Sequence, residues 1–95
     1  MVSSPVRARI LVSGRVQGVA YRAFTREAAI RYGLSGRVRN LRDGRVEVEV
    51  EGERQGIEAM IGSLRVGPPM ACVENLEVQW GSPEGRLTGF HIWFD

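Results

Sequence analysis

The stretch Gly36-Arg37-Val38-Arg39-Asn40-Leu41-Arg42-Asp43-Gly44-Arg45-Val46-Glu47-Val48-Glu49-Val50-Glu51-Gly52 decides the fold. Val46, Val48 and Val50 alternate with Glu47, Glu49 and Glu51, the period of two that sends one set of side chains to each face of a strand. Upstream, over Gly36–Leu41, Val38 and Asn40 share one parity while Arg37 and Arg39 share the other. Asp43-Gly44 between the two runs is a turn signal. Putting Val38 and Val48 on one buried face sets them opposite each other and brings Leu41 opposite Arg45. A three-residue loop, Arg42-Asp43-Gly44, then remains, with Gly44 free to take a positive φ in a G1 bulge. The middle of the chain is a β-hairpin.

Outward from the hairpin, each arm meets a helix and then a strand. Tyr21, Thr25, Ala28, Ala29 and Tyr32 fall on one helical face, and Gly33 at the C′ position stops that helix before Leu34. On the other side Ile57, Met60, Ile61 and Leu64 repeat at helical spacing, closed by Gly67-Pro68-Pro69. Farther out, Val6, Ala8, Ile10 and Val12 alternate with Arg7, Arg9, Leu11 and Ser13 in a strand. The two glycines of Gly14–Val19 break that period, and the segment reads as a loop. A strand over about residues 71–80 changes its apolar parity between Val73 and Leu76, which predicts a bulge at Glu74-Asn75. Phe90, Ile92 and Phe94 alternate with His91 and Trp93 in a short closing strand.

The order β-α-β-β-α-β plus a short terminal strand predicts an α+β, ferredoxin-like split βαβ fold, with two helices packed on one face of an antiparallel sheet. The expected strand order is 4-1-3-2, and all 95 residues form a single domain, 1–95. Strands one and two are then parallel, so their C-terminal ends share one edge of the sheet with the start of the first helix.

Composition removes several chemistries. The 13 basic residues are all arginine. A chain without lysine lacks the amine that a Walker A loop, a Schiff-base enzyme or a pyridoxal enzyme requires. One histidine, His91, and one cysteine, Cys72, cannot build a Cys/His zinc cluster, and no G-x-S-x-G accompanies His91. No metal and no cofactor are expected, and the chemistry falls to arginine, amides, backbone or carboxylates. His91, by alternation, reads as an outward residue, Cys72 as a packed or half-exposed thiol, and Trp80 and Trp93 as covers for sheet ends. No apolar run reaches the ~18 residues of a membrane helix. The start MVSSPVRAR lacks the apolar stretch of a signal peptide. A cytoplasmic monomer that engages no membrane is the expectation.

Charge is uneven along the chain. Residues 1–45 hold ten arginines against Glu27 and Asp43, whereas residues 46–95 hold three arginines against nine acids. A basic half suits an anionic ligand. Three features converge on the shared sheet edge: the loop Gly14-Arg15-Val16-Gln17-Gly18-Val19, Arg22 in the first helical turn, and Asn40 at the end of strand two. The loop can aim backbone N–H groups at one point, where the helix dipole also favours an anion. Arg22 adds a fork that holds phosphate oxygens bidentately, and it sits against the helix dipole without a structural reason. Asn40 shares the buried parity of Val38 and needs a partner that a ligand or its water supplies.

Those residues carry a resemblance. Gly14-Arg15-Val16-Gln17-Gly18-Val19-Ala20-Tyr21-Arg22 resembles the acylphosphatase signature G-x-V-Q-G-V-x-[FY]-R. Gly36–Val46, with Gly52 beyond, is similar to that family's second signature, and the resemblance spans essentially the whole chain. It departs at Arg37, where the family usually carries an aromatic, on the open sheet face away from the site.

The resemblance implies hydrolysis of the carboxyl–phosphate bond of acyl phosphates to a carboxylate and inorganic phosphate. Arg22 and the amides of Arg15, Val16, Gln17, Gly18 and Val19 would hold the phosphoryl group, and Asn40 would orient the attacking water. The physics agrees: a carboxylate of pKa about 4 leaves without a general acid, and a loose transition state asks for positioning and charge.

Three alternatives stand beside this reading. RNA-binding modules share the fold but read RNA through aromatics on strands one and three. Here those strands show Arg7, Arg9, Leu11 and Ser13 against Arg45, Glu47, Glu49 and Glu51, and the glutamates are expected to pair across strands with Arg7, Arg9, Arg37 and Arg39. No nucleic acid partner is expected. A domain inside a larger maturation enzyme is disfavoured by the chain's length, which suggests a free-standing enzyme. The third is a non-catalytic domain that binds acyl phosphates or other anions as a regulator.

Overall fold

The computed structural model describes residues 4–94, so residues 1–3 and Asp95, counted above within the domain, lie outside the described residues. The elements run β1 (Val6–Arg15), α1 (Tyr21–Arg31), β2 (Ser35–Asn40), β3 (Val46–Gly52), α2 (Arg54–Val66), β4 (Cys72–Gly81) and β5 (Phe90–Trp93). They form one five-stranded sheet of order β4-β1-β3-β2-β5. β1 and β2 both run antiparallel to β3 and therefore parallel to each other, as the element order requires. β5 joins β2 in parallel, so the sheet is mixed and not wholly antiparallel.

The central hairpin has the expected register. Val38 faces Val48, Asn40 faces Val46, and the Leu41 N–H donates to the Arg45 carbonyl at 2.8 Å. The loop that remains is Arg42-Asp43-Gly44, and Gly44 takes a φ of 98°. α1 ends in a Schellman motif: the Leu34 N–H donates to the Ala29 carbonyl at 2.9 Å and the Gly33 N–H to the Ile30 carbonyl at 3.1 Å. The two helices meet through Tyr21, whose hydroxyl donates to the Leu64 carbonyl at 2.7 Å in the core. That core is a layer of Ala8, Ile10, Val12, Val38, Val46, Val48 and Val50 from the sheet against Ala28, Ala29, Ile57, Met60 and Leu64 from the helices.

The boundary that matters for the site differs from the sequence reading, while β2 and β4 shift by one residue. Gly14 and Arg15 belong to β1 and not to the loop, which runs only from residue 16 to residue 20. The cause is the bulge in β4. Ser13 pairs with Asn75 and Gly14 with Val73, so Glu74 is skipped and the ladder continues to Arg15 and Cys72. The crossing demands glycine: at Gly14, with φ 121°, a Cβ would stand 2.2 Å from the Cys72 carbonyl oxygen. β4 itself starts one residue later than read, and Cys72 is exposed rather than packed.

The face of the sheet away from the helices carries charge. Glu49 accepts from Arg7 and Arg37, and Glu47 accepts from Arg9 Nε at 2.9 Å and Arg39 Nε at 2.7 Å. Each carboxylate thus bridges arginines of both flanking strands, as the alternation predicts. Glu47 is only 3% exposed. Burial opposes its ionisation, but the hydrogen bonds from Arg39 and Arg9 prevail and hold its carboxyl below the usual range. Arg37 also lies over the Trp93 ring, its guanidinium carbon 4.0 Å from the centroid. Arg54 covers Trp80 in the same way at 4.1 Å. Each tryptophan therefore carries an arginine guanidinium over its ring while staying partly exposed.

Candidate active site

The site grows from the end of β1. Past Arg15 the chain turns through residues 16–20, anchored by Val16 and Val19, which are 1% and 9% exposed in the core. Two residues there adopt left-handed backbone: Gly18 at φ 75° and Ala20 at φ 65°. Ala20 caps α1 without any side-chain hydrogen bond, and no acidic residue lies in the first turn. The first intrahelical bond is the Phe24 N–H to the Ala20 carbonyl at 3.1 Å. The amides before it have no intrahelical acceptor, and the positive end of the helix dipole lies there.

Arg22 extends from that turn. Its Nη1 donates to the Trp93 carbonyl at 3.3 Å, and its guanidinium carbon sits 4.4 Å from the centroid of the Phe94 ring. Neither partner is a carboxylate. Arg7, Arg9, Arg37, Arg39 and Arg45 all hold acids, so Arg22 differs from them in keeping its charge for the cleft.

Asn40 arrives from β2. Its Oδ1 is buried and has no hydrogen-bond partner among the described residues. A buried acceptor left without any donor would cost about 1–3 kcal/mol, so Oδ1 calls for a water or a ligand in the cleft.

Arg22 and Asn40 line the same two clefts. The first, of about 230 Å³, also has Val16, Gly18, Ala20 and Phe94 in its wall. The second, of about 400 Å³, continues outward along Leu41, Arg42 and Phe94. Of the loop residues named from sequence, Val16 and Gly18 reach the cleft wall. Arg15 pairs with Cys72 in the sheet, Val19 packs inward, and Gln17 turns its side chain to the β2–β3 loop. Tyr21 lines the cleft, but its hydroxyl is spent on Leu64 and burial pushes its phenol far above the usual range, so it offers no proton at neutral pH. His91 is exposed, with Nε2 against the Thr88 carbonyl at 2.6 Å.

Sequence reasoning missed Phe94, Ile92, Arg42 and the side chain of Gln17. Phe94 reads by parity as a core residue of the closing strand, yet β5 ends at Trp93 and the ring is 76% exposed over Arg22. Arg42 had one available signal, its place two residues beyond Asn40. Among the described residues no group of three or more His, Cys, Asp or Glu is gathered as a metal site, and no helix is long and apolar enough to cross a membrane.

Fold and cleft together define a small α+β protein that presents at one sheet edge a helix N-terminus, an arginine without a carboxylate partner among the described residues, and a buried amide oxygen. The acylphosphatase family model matches residues 8–92. An acylphosphatase of Anaeromyxobacter dehalogenans is 54% identical over 89 residues, covering 94% of this chain and 96% of that one. One from Thermus thermophilus is 53% identical over 83 residues, 87% of this chain and 93% of its own. The crystal structure of an acylphosphatase from Bacillus subtilis superposes with a TM-score of 0.91 at 32% identity, covering 94% of this chain and 99% of that one. This chain belongs to the acylphosphatase family.

Proposed function

We propose that the cleft between α1, β2 and the 15–19 segment is where this chain hydrolyses acyl phosphates, the reaction of its family. The phosphoryl group rests on Arg22 and the backbone amides of residues 15–19. The guanidinium fork takes two equatorial oxygens, and the amides and helix dipole take the charge that spreads over the rest. Asn40 holds the water. When Oδ1 accepts a hydrogen bond from one O–H of the water, a lone pair of the water oxygen is left to face phosphorus. As the water oxygen bonds to phosphorus, the P–O bond to the acyl group breaks and the carboxylate departs with the bonding pair. It needs no general acid, because its conjugate acid has a pKa of about 4. The water's protons pass to the phosphate product and solvent.

The observation that carries this reading is the buried, partnerless Oδ1 of Asn40 lining the same clefts as Arg22. The described residues offer no donor for that oxygen, whereas a water molecule does. We read the enzyme as a cytoplasmic monomer that uses no metal and binds no nucleic acid. The open sheet face supports the last point, since its glutamates are already bridged by arginines.

Arg22→Gln tests the assignment. Removing the fork is expected to abolish both turnover of acetyl phosphate and competitive inhibition by inorganic phosphate, because the cation acts in ground and transition states alike. Arg22→Lys is expected to stay poor, since an ammonium cannot copy the bidentate geometry. Retained phosphate inhibition in a folded Arg22→Gln would remove Arg22 from the site.

A further inference from the structure

Gln17 enters the site through its backbone, but its side chain does something separate. Nε2 donates to the Leu41 carbonyl at 2.7 Å and to the Arg45 carbonyl at 2.9 Å. These two carbonyls stand at the neck of the β2–β3 loop. The Arg45 carbonyl also accepts from the Leu41 N–H at 2.8 Å, and the Leu41 carbonyl from the Gly44 N–H at 3.2 Å. A primary amide has two protons, and both are used on one target. At one end of this clamp lies the loop leading to Gly18, Ala20 and Arg22; at the other lies Leu41, the residue after Asn40.

We infer that the Gln17 side chain is a positioning residue, setting the separation between the phosphoryl cradle and the water held by Asn40. The inference rests on the roles proposed for Arg22 and Asn40. Its physical basis is the reach demanded of an in-line attack. The water oxygen must stand about 3–3.5 Å from phosphorus and in line with the leaving oxygen, and a misplacement near 1 Å can cost about 10²-fold. The cradle and Arg22 ride on the loop and α1, whereas Asn40 rides on β2. Two hydrogen bonds from one half-buried side chain join these units at the point where both must agree.

The test is a double-mutant cycle read in kcat on acetyl phosphate and in the inhibition constant of inorganic phosphate. Two variants of Gln17 are used beside Asn40→Ala. Gln17→Ala removes the clamp, and Gln17→Glu keeps its shape while turning a carboxylate toward two carbonyl oxygens. Circular dichroism and a thermal melt establish folding. Both folded variants are expected to lose about 10–100-fold in kcat. Phosphate inhibition is expected to hold within about threefold, because loop amides and Arg22 move as one unit. Added to Asn40→Ala, Gln17→Ala is expected to cost little more, since a water no longer held cannot be further misplaced. A folded variant with kcat within twofold of the parent overturns the inference. So does a double variant whose losses multiply, because Gln17 would then act independently of Asn40. If Asn40→Ala alone keeps near-normal kcat, the failure lies with the reading of Asn40.

Discussion

Asn40→Ala removes a buried oxygen that the described residues leave without a donor, and its effect on rate is expected to far exceed its effect on stability. The water held by Oδ1 satisfies that acceptor in the resting protein, so truncation relieves no unpaired group and forfeits packing worth about 1 kcal/mol. For a domain of this size each kcal/mol moves Tm by about 4–8 °C, so the variant should melt within about 8 °C of the parent. Its kcat is expected to fall by about 10²–10³, or about 2.7–4 kcal/mol, the scale for losing one positioned polar group. Phosphate inhibition should stay within a few-fold, because Arg22 and the amides remain. The assays are a melt followed by circular dichroism, and kcat on acetyl phosphate with phosphate as competitor. A Tm lowered by more than about 8 °C would make Asn40 a structural residue after all. A kcat within a few-fold of the parent would show that the water is placed by something else, and phosphate affinity lost along with turnover would make Asn40 a ligand of the anion.

Three further outcomes are expected. Turnover should survive excess EDTA; complete loss restored by Mg²⁺ would mean that a metal carries the charge assigned to Arg22 and the amides. Gly18 has φ 75° and open space where a Cβ would stand, so Gly18→Val should strain the loop and weaken phosphate inhibition while Gly18→Asn retains more of it; equal losses would point to bulk at the anion instead of backbone strain. Glu47 titrates lower in the folded chain than in the unfolded one, so its stabilisation is complete above the unfolded pKa of about 4.3 and is lost as pH falls through the lower folded value. Glu47→Gln should therefore cost about 1–3 kcal/mol at pH 7 and flatten the acid limb of a urea-unfolding profile below pH ~4.3, whereas an unchanged acid limb would remove Glu47 from the acid response.

What could be read from the residues depended on whether the signal was local. The hairpin was legible in full, because strict alternation and Asp43-Gly44 leave one register that buries Val38 beside Val48. The meeting of Arg22 and Asn40 was legible for a topological reason: parallel β1 and β2 must end at the same edge. The end of β1 was not, since it is settled by the bulge at Glu74, far along the chain. The clamp of Gln17 was hidden because its acceptors are main-chain carbonyls, and a carbonyl has no letter in a sequence. Phe94 was misplaced because parity holds only while the ladder lasts, and β5 stops one residue before it.

The strand order β4-β1-β3-β2-β5 also has a consequence in time. Only the β2–β3 ladder joins neighbours across a tight turn. Val6 must find Gly52, Arg7 must find Gly81, and Gly36 must find Phe90. Each of those searches closes a long loop before any contact rewards it, so the entropic cost falls early and the barrier is high. The molecule is therefore expected to fold more slowly than a helical bundle of its size. The hairpin bearing Asn40 can form locally within microseconds, and it must then wait for β1 to dock against β3 before the phosphate loop stands beside it.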